Sequence, residues 1–124
     1  MTRVLIVDDR SSFRCYLRQL LVRAGLTVVG EAGNIPDAEE LAQTLQPDLA
    51  VVDVMLPGIN GLEGTHRLKA LAPDLRVILV SADGDRADIF RAAAQEAGAE
   101  SFIPKDDLDL RVAQAWKQRH QEKG

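Results

Sequence analysis

Five short apolar runs, separated by segments with a helical period, limit what this chain can fold into. They are Val4 to Val7, Val28 to Val29 with Leu26 beside them, Leu49 to Val52, Val77 to Val80, and Phe102 to Ile103. A strand without polar alternation must be covered on both faces, as in a parallel sheet between helices. The stretch LAVVDVMLPGING, Leu49 to Gly61, is the plainest case: a buried strand ends in one carboxylate, Asp53, and a Pro57-Gly58 turn follows. The C-terminal end of such a strand opens to solvent and can carry a charge. Asp53 therefore lies where open α/β sheets place their chemistry.

The segments between the runs read as helices. Phe13, Leu17, Leu20, Leu21 and Ala24 share one face from Ser11 onward, with a serine N-cap before them and Gly25 after. Ala38, Leu41, Ala42 and Leu45 repeat the pattern between the Pro36-Asp37 start and the Pro47 stop, giving a second helix near 36–46. Gly61 to Leu71 forms the third. The fourth, about Arg86 to Ala97, presents Ile89, Ala93 and Ala97 with Phe90 at the edge, and this alanine-rich stripe should dock least firmly. The fifth is expected to start after Lys105 with Asp106 and Asp107 as caps, to turn Leu108, Val112, Ala115 and Trp116 to one side, and to end near Arg119.

Strand followed by helix, five times over, becomes a parallel sheet sandwiched by helices under the right-handed crossover rule. The expected fold is α/β, a doubly wound five-stranded parallel sheet of flavodoxin-like order 2-1-3-4-5 with five helices. Its switch point falls between the first and third strands, and ligands bind outside their carboxyl ends. The 124 residues suit one domain, expected over 1–121 with a polar tail at 122–124. A chain of this size buries roughly two thirds of its unfolded surface without staples.

Composition removes several functions. A net charge of -4 opposes attraction to nucleic-acid phosphates by the domain as a whole. One cysteine, Cys15, excludes an internal disulfide, and His66 and His120 alone make no zinc cluster. Any metal must be held by oxygen. No apolar stretch approaches the roughly 20 residues needed to cross a bilayer, and none reads as a secretory signal, so a cytoplasmic location is expected.

The first strand closes with Asp8-Asp9, the third with Asp53 and the fourth with Ser81, and Lys105 follows the fifth. All lie at one sheet edge. Carboxylates brought that close repel one another and should have raised or coupled pKa values unless a cation sits among them. Magnesium suits the position, because it takes hard oxygen ligands and keeps several waters. A metal, an ammonium and a hydroxyl around one carboxylate can receive a phosphoryl group, with Asp53 as the nucleophile.

From VLIVDD through DVMLPGING and VILVSA to SFIPK, the chain resembles a receiver domain of the bacterial response regulators of two-component signalling. The resemblance implies Asp53 as phosphoacceptor, and Asp8, Asp9, Asp53 and the backbone carbonyl of Met55 around Mg2+. Ser81 and Lys105 would contact the phosphoryl oxygens. Phe102 would be the aromatic switch, turning inward as Ser81 shifts toward the phosphate and so changing the face made by the fourth helix, fifth strand and fifth helix. The implied activity is self-limited: the protein catalyses only its own phosphorylation and dephosphorylation. Its implied partners are a histidine kinase or phosphotransfer protein, or a small phosphodonor, and a downstream protein; a homodimer through the switch face is a further pairing. The family commonly has proline directly after the lysine, whereas here Asp106 follows Lys105 and Pro104 precedes it. The Lys105-Asp106 bond should therefore be trans. No output domain follows in this sequence, which leaves a stand-alone receiver or a fragment of a longer protein.

Two other classes compete. A receiver-like binding module that does not signal by phosphorylation would account for the altered loop at Asp106. A phosphatase of haloacid dehalogenase type would need an acid two positions after Asp53, where Met55 stands. Outside the cluster, Arg10, Arg14 and Arg18 recur along the first helix as a solvated face or a docking surface for an acidic or phosphorylated kinase domain. Cys15 and His66 read as exposed and incidental, and Trp116 as covering the edge of the fifth helix. Met55 and Asp83 flank the cluster and would tune the lifetime of a phosphoryl group.

Overall fold

A computed structural model describes residues 1–117, and the expected end of the fifth helix and the tail at 122–124 lie outside the described residues. Its strands are β1 (Arg3–Val7), β2 (Thr27–Ala32), β3 (Leu49–Asp53), β4 (Arg76–Ser81) and β5 (Ser101–Pro104). The helices are α1 (Ser11–Arg23), α2 (Ile35–Leu45), α3 (Gly61–Leu71), α4 (Ala87–Ala97) and α5 (Leu110–Gln114). The five strands pair in parallel in the order β2-β1-β3-β4-β5. This is the doubly wound order expected from the sequence.

Both faces of the sheet are dry, which explains the unbroken apolar runs. Leu5, Val7, Ala50, Val52, Val77 and Leu79 pack under Ile35 and Ala38 of α2, Leu68 of α3, and Phe90 and Ala94 of α4. Val4, Ile6, Leu49, Val51, Ile78 and Val80 point the other way, under Leu17 and Leu21 of α1 and Ala113 of α5, with Leu108 and Trp116 beside them. Successive strand residues thus serve opposite cores. No helix among the described residues is long and apolar enough to cross a membrane.

Helix ends follow local chemistry and correct four details of the sequence reading. The first correction is at α1, which has no serine cap: Arg10 holds the N-cap position, and its N–H donates to Asp8 Oδ1 at 2.8 Å. The other end is as expected. Gly25 at φ +91° lets its own N–H reach Val22 O and that of Leu26 reach Leu21 O, a turn that glycine adopts without strain. Helix α2 is capped by Asn34, which accepts from Asp37 N at 2.8 Å, and Asn60 caps α3 by accepting from Leu62 N and Glu63 N.

The second correction is at α4. Phe90 and Ala94 are its buried residues, while Ile89 is 68% exposed. The ring of Phe90 lies 5.6 Å from that of Phe102, and this aromatic pairing rotates the stripe away from Ile89. Third, Asp106 and Asp107 belong to a 3-10 turn, Lys105–Asp107, and the cap of α5 is Asp109, which accepts from Val112 N at 2.9 Å. Buried Leu108 is extended and interrupts any continuous helix from Lys105. Fourth, Ala113 and Trp116 face the core there, and Ala115 is exposed.

Pairing between β1 and β2 skips Val29: Val4 faces Val28, but Leu5 faces Gly30. The extra residue turns Glu31 toward α1, where it meets Arg14 at 3.0 Å and also pairs with Arg18. Two of the three arginines on that helix are therefore tied to the sheet. Burial works to raise the Glu31 pKa and is its largest single influence, yet the hydrogen bonds and charges of Arg18 and Arg14 together outweigh it and hold the carboxyl below its ordinary 4.5.

Two tests follow from this packing. Because the folded-state pKa of Glu31 is depressed, its stabilisation is present above 4.5 and is lost as pH falls through the folded value. Glu31→Gln should cost about 1 kcal/mol at pH 7 and flatten the acid side of a stability–pH curve measured by urea denaturation. At Gly61, a Cβ would collide with the main chain of Asp53 and Val54, which cannot move aside. Gly61→Ala should lower the unfolding free energy by about 3 kcal/mol, read from the urea midpoint at unchanged slope.

Candidate functional site

Register alone brings the acids together. Val7 pairs with Val52, so the residues that follow, Asp8 and Asp53, leave the sheet side by side. Asp53 in turn pairs with Val80, and Ser81 pairs with Pro104, which precedes Lys105. β1 has β2 on one side and β3 on the other, so the helices that follow β1 and β3 leave toward opposite faces and open a crevice at that edge.

Oxygens of Asp8, Asp9 and Asp53 all lie within 4.8 Å of one another. Asp8 and Asp53 are 1% and 5% exposed, and Asp9 is open to solvent. Lys105 reaches in from the far side of the sheet, with Nζ 2.8 Å from Asp8 Oδ2 and 3.6 Å from Asp53 Oδ2. The other oxygen of Asp53 accepts the N–H of Met55 at 3.2 Å. Burial does most to raise the Asp53 pKa. Lys105 and the Met55 N–H pull it down, Asp8 and Asp9 push it up, and the carboxyl ends above its ordinary 3.8. Asp53 is thus a charge held in a place that disfavours it until more positive charge arrives.

This donor set fits a small hard cation. An octahedron with bonds of about 2.1 Å places opposite ligands about 4.2 Å apart. Carboxylate oxygens within 4.8 Å meet that requirement with little movement. Met55, two residues beyond Asp53 on the β3–α3 turn, is joined to it by that N–H contact and is 55% exposed. Ser81 is fully buried, and its hydroxyl accepts the N–H of Asp83 at 3.1 Å. Phe102 is 4% exposed and already lies inward against Phe90, with the Arg91 guanidinium 5.9 Å from its ring.

The loop that departs from the expected pattern does not displace the lysine. No peptide bond among the described residues is cis, so Lys105-Asp106 is trans as expected, and Nζ still reaches both acids. Two contributors went unseen in the sequence. Arg14, read there as part of a solvated or docking face, donates from Nη1 to the Asp8 carbonyl at 2.6 Å while holding Glu31. Phe13, read as core, presents its ring 4.0 Å from Lys105 Nζ. A basic and an aromatic residue one turn after the acid pair were the available signal. A groove of about 740 Å³ opens between the ends of α2 and α3, lined by Gln46, Pro47 and Leu75, at the opposite edge of the sheet from the acids.

The family model for the response regulator receiver domain matches residues 4–115. The chain is 36% identical over 113 residues to the chemotaxis protein CheY of Thermotoga maritima, covering 91% of this chain and 92% of that protein. It is 38% identical over 106 residues to the response regulator GacA of Pseudomonas aeruginosa, covering 85% of this chain but only 49% of GacA. The chain therefore spans nearly all of the first relative and about half the length of the second. Among solved structures, the signal receiver domain of the response regulator NarL from Mycobacterium tuberculosis superposes with a TM-score of 0.83 at 30% identity, covering 92% of this chain and 91% of that one. Fold, acid cluster and relatives agree, and the chain belongs to the receiver domains of two-component response regulators.

Proposed function

We propose that this chain, as a receiver and hence a phosphoacceptor signalling domain rather than a turnover enzyme, takes its phosphoryl group on Asp53. The observation that carries the proposal is the Lys105 ammonium reaching both Asp8 and Asp53 at the switch point of the sheet. An Asp53 oxygen attacks phosphorus, an O–P bond forms, and the bond to the donor breaks and leaves its electron pair with the donor. The donor is a histidine kinase, a phosphotransfer protein or a small phosphodonor. Asp8, Asp9, Asp53 and the Met55 carbonyl would hold Mg2+, which supplies positive charge for the phosphoryl oxygens. Lys105 contributes a second, fixed charge, and the buried Ser81 hydroxyl a donor within the same edge. Asp53 is only 5% exposed, so water has little access to its carboxylate.

The Ser81 hydroxyl accepts the N–H of Asp83 at the start of the β4–α4 loop, so a shift of Ser81 toward the phosphoryl group, to donate its own proton there, would pull on that contact. The buried Phe102–Phe90 pair links β5 to α4, which follows that loop and rests on two buried residues, Phe90 and Ala94. The face of α4, β5 and α5 is thus the surface a downstream protein, or a second copy of the chain, would read. Asp83 and Met55, at the rim, set how long the acyl phosphate lasts. The receiver unit extends over 1–121. A binding module indifferent to phosphate had its motive in Asp106, and a trans loop that still delivers Lys105 to the acids gives that reading no support.

Acetyl phosphate with Mg2+ should label the protein in a stoichiometric, acid-stable and hydroxylamine-sensitive manner, and Asp53→Ala should abolish the label. Equal labelling of parent and variant would sink the assignment. Stability provides an independent measurement. An acid whose folded pKa is raised stabilises the fold below its unfolded value and loses that contribution as pH rises through the folded value. Asp53→Asn should therefore unfold at a higher temperature than the parent at pH 7 without metal. Mg2+ at a hundredfold excess over its dissociation constant should add about 2.7 kcal/mol to the parent and distinctly less to the variant.

A further inference from the structure

Phe13 sits on the apolar stripe of α1 but only half-buried, at the edge of the core rather than within it. Lys105 Nζ lies 4.0 Å from its ring centroid. The same ammonium meets Asp8 Oδ2 at 2.8 Å and Asp53 Oδ2 at 3.6 Å, and the lysine side chain is 12% exposed. Tyr16, one turn further along α1 and itself exposed, has its ring 6.0 Å from that of Phe13. The lysine head is thus shared by two carboxylates and one aromatic face, all contributed by other elements of the chain.

We propose that Phe13 is a positioning residue for Lys105, holding the ammonium beside Asp53 through the face of its ring. Asp8 has two uses that conflict: its Oδ2 pairs with Lys105, and the same carboxylate belongs to the acid cluster that fits a divalent ion. A lysine anchored by Asp8 alone would lose its seat whenever the metal claimed that carboxylate. The ring quadrupole attracts the ammonium without competing for either oxygen, and it is most effective where water is scarce. Leucine would fill a similar volume on the stripe but offers no such face. The consequence for phosphoryl transfer rests on Asp53 being the phosphoacceptor; the contact itself does not.

Two measurements on the full chain separate these claims. In proton NMR without metal, the Lys105 Cε protons should resonate upfield because of the Phe13 ring current, and Phe13→Leu should abolish that shift while Phe13→Tyr keeps it. In acetyl phosphate labelling at saturating Mg2+, Phe13→Leu should be slower by about threefold to tenfold, with Phe13→Tyr restored to within about twofold of the parent. Unshifted Lys105 protons in the parent, or a folded Phe13→Leu that labels at the parental rate, would overturn the proposal. Should the parent itself fail to label, the phosphoacceptor reading is lost and the Cε shift alone decides where Phe13 holds the lysine.

Discussion

The parallel pairing of β1 with β3 is the constraint on which everything else here depends. It is a pairing of two wholly apolar segments, Val4 to Val7 against Leu49 to Val52, that stay in register only because each face of each strand has a helix to bury against. A slip of one residue would send every side chain to the opposite core and would separate Asp8 from Asp53. The apolar core therefore fixes the spacing of the charges. The acids do not hold the strands together; they are carried to one place by residues that gain from being dry.

At that place the balance is electrostatic and incomplete. Asp8 is almost wholly buried with Lys105 at 2.8 Å, and Asp53, nearly as buried, has the same ammonium only at 3.6 Å. Lys105 thus meets two of the three clustered carboxylates, and no ion pair to Asp9 is found among the described residues. The remaining imbalance favours whatever brings positive charge, and a small hard cation fits that requirement. Arg14 links this edge to the second strand: its guanidinium spans the Asp8 carbonyl and Glu31 and so braces the backbone of Asp8.

Much of this was legible in sequence because its signals are short-range and physical. Unbroken apolar runs, a Pro-Gly turn after Asp53 and the glycine stop at Gly25 place the strands and the first four helices close to where they lie, while β2 runs three residues further and the fifth helix starts later than expected. The reading failed where two local patterns competed. The fourth helix offered Ile89 or Phe90 to the core, and periodicity favoured Ile89; the partner ring of Phe102 gave the inward place to Phe90. Asp106, Asp107 and Asp109 are all good caps, and the burial of Leu108 between them selected the last. Arg14 and Arg18 have the spacing of a solvated helix face, and nothing local says that a skipped residue in β2 turns Glu31 toward them.

What the sequence determined by itself was the order of elements, the identity of the acids and the edge on which they gather. Those follow from apolar patterning and from the handedness of the connections, which act on every strand alike. The tertiary structure decided how the charges share their partners: that Lys105 reaches Asp8 more closely than Asp53, that Phe13 sits against the ammonium, that Arg14 holds the Asp8 carbonyl, and that Phe102 lies inward. Such choices turn on a few ångströms between residues tens of positions apart in the chain. Only the packed sheet and its helices fix distances on that scale.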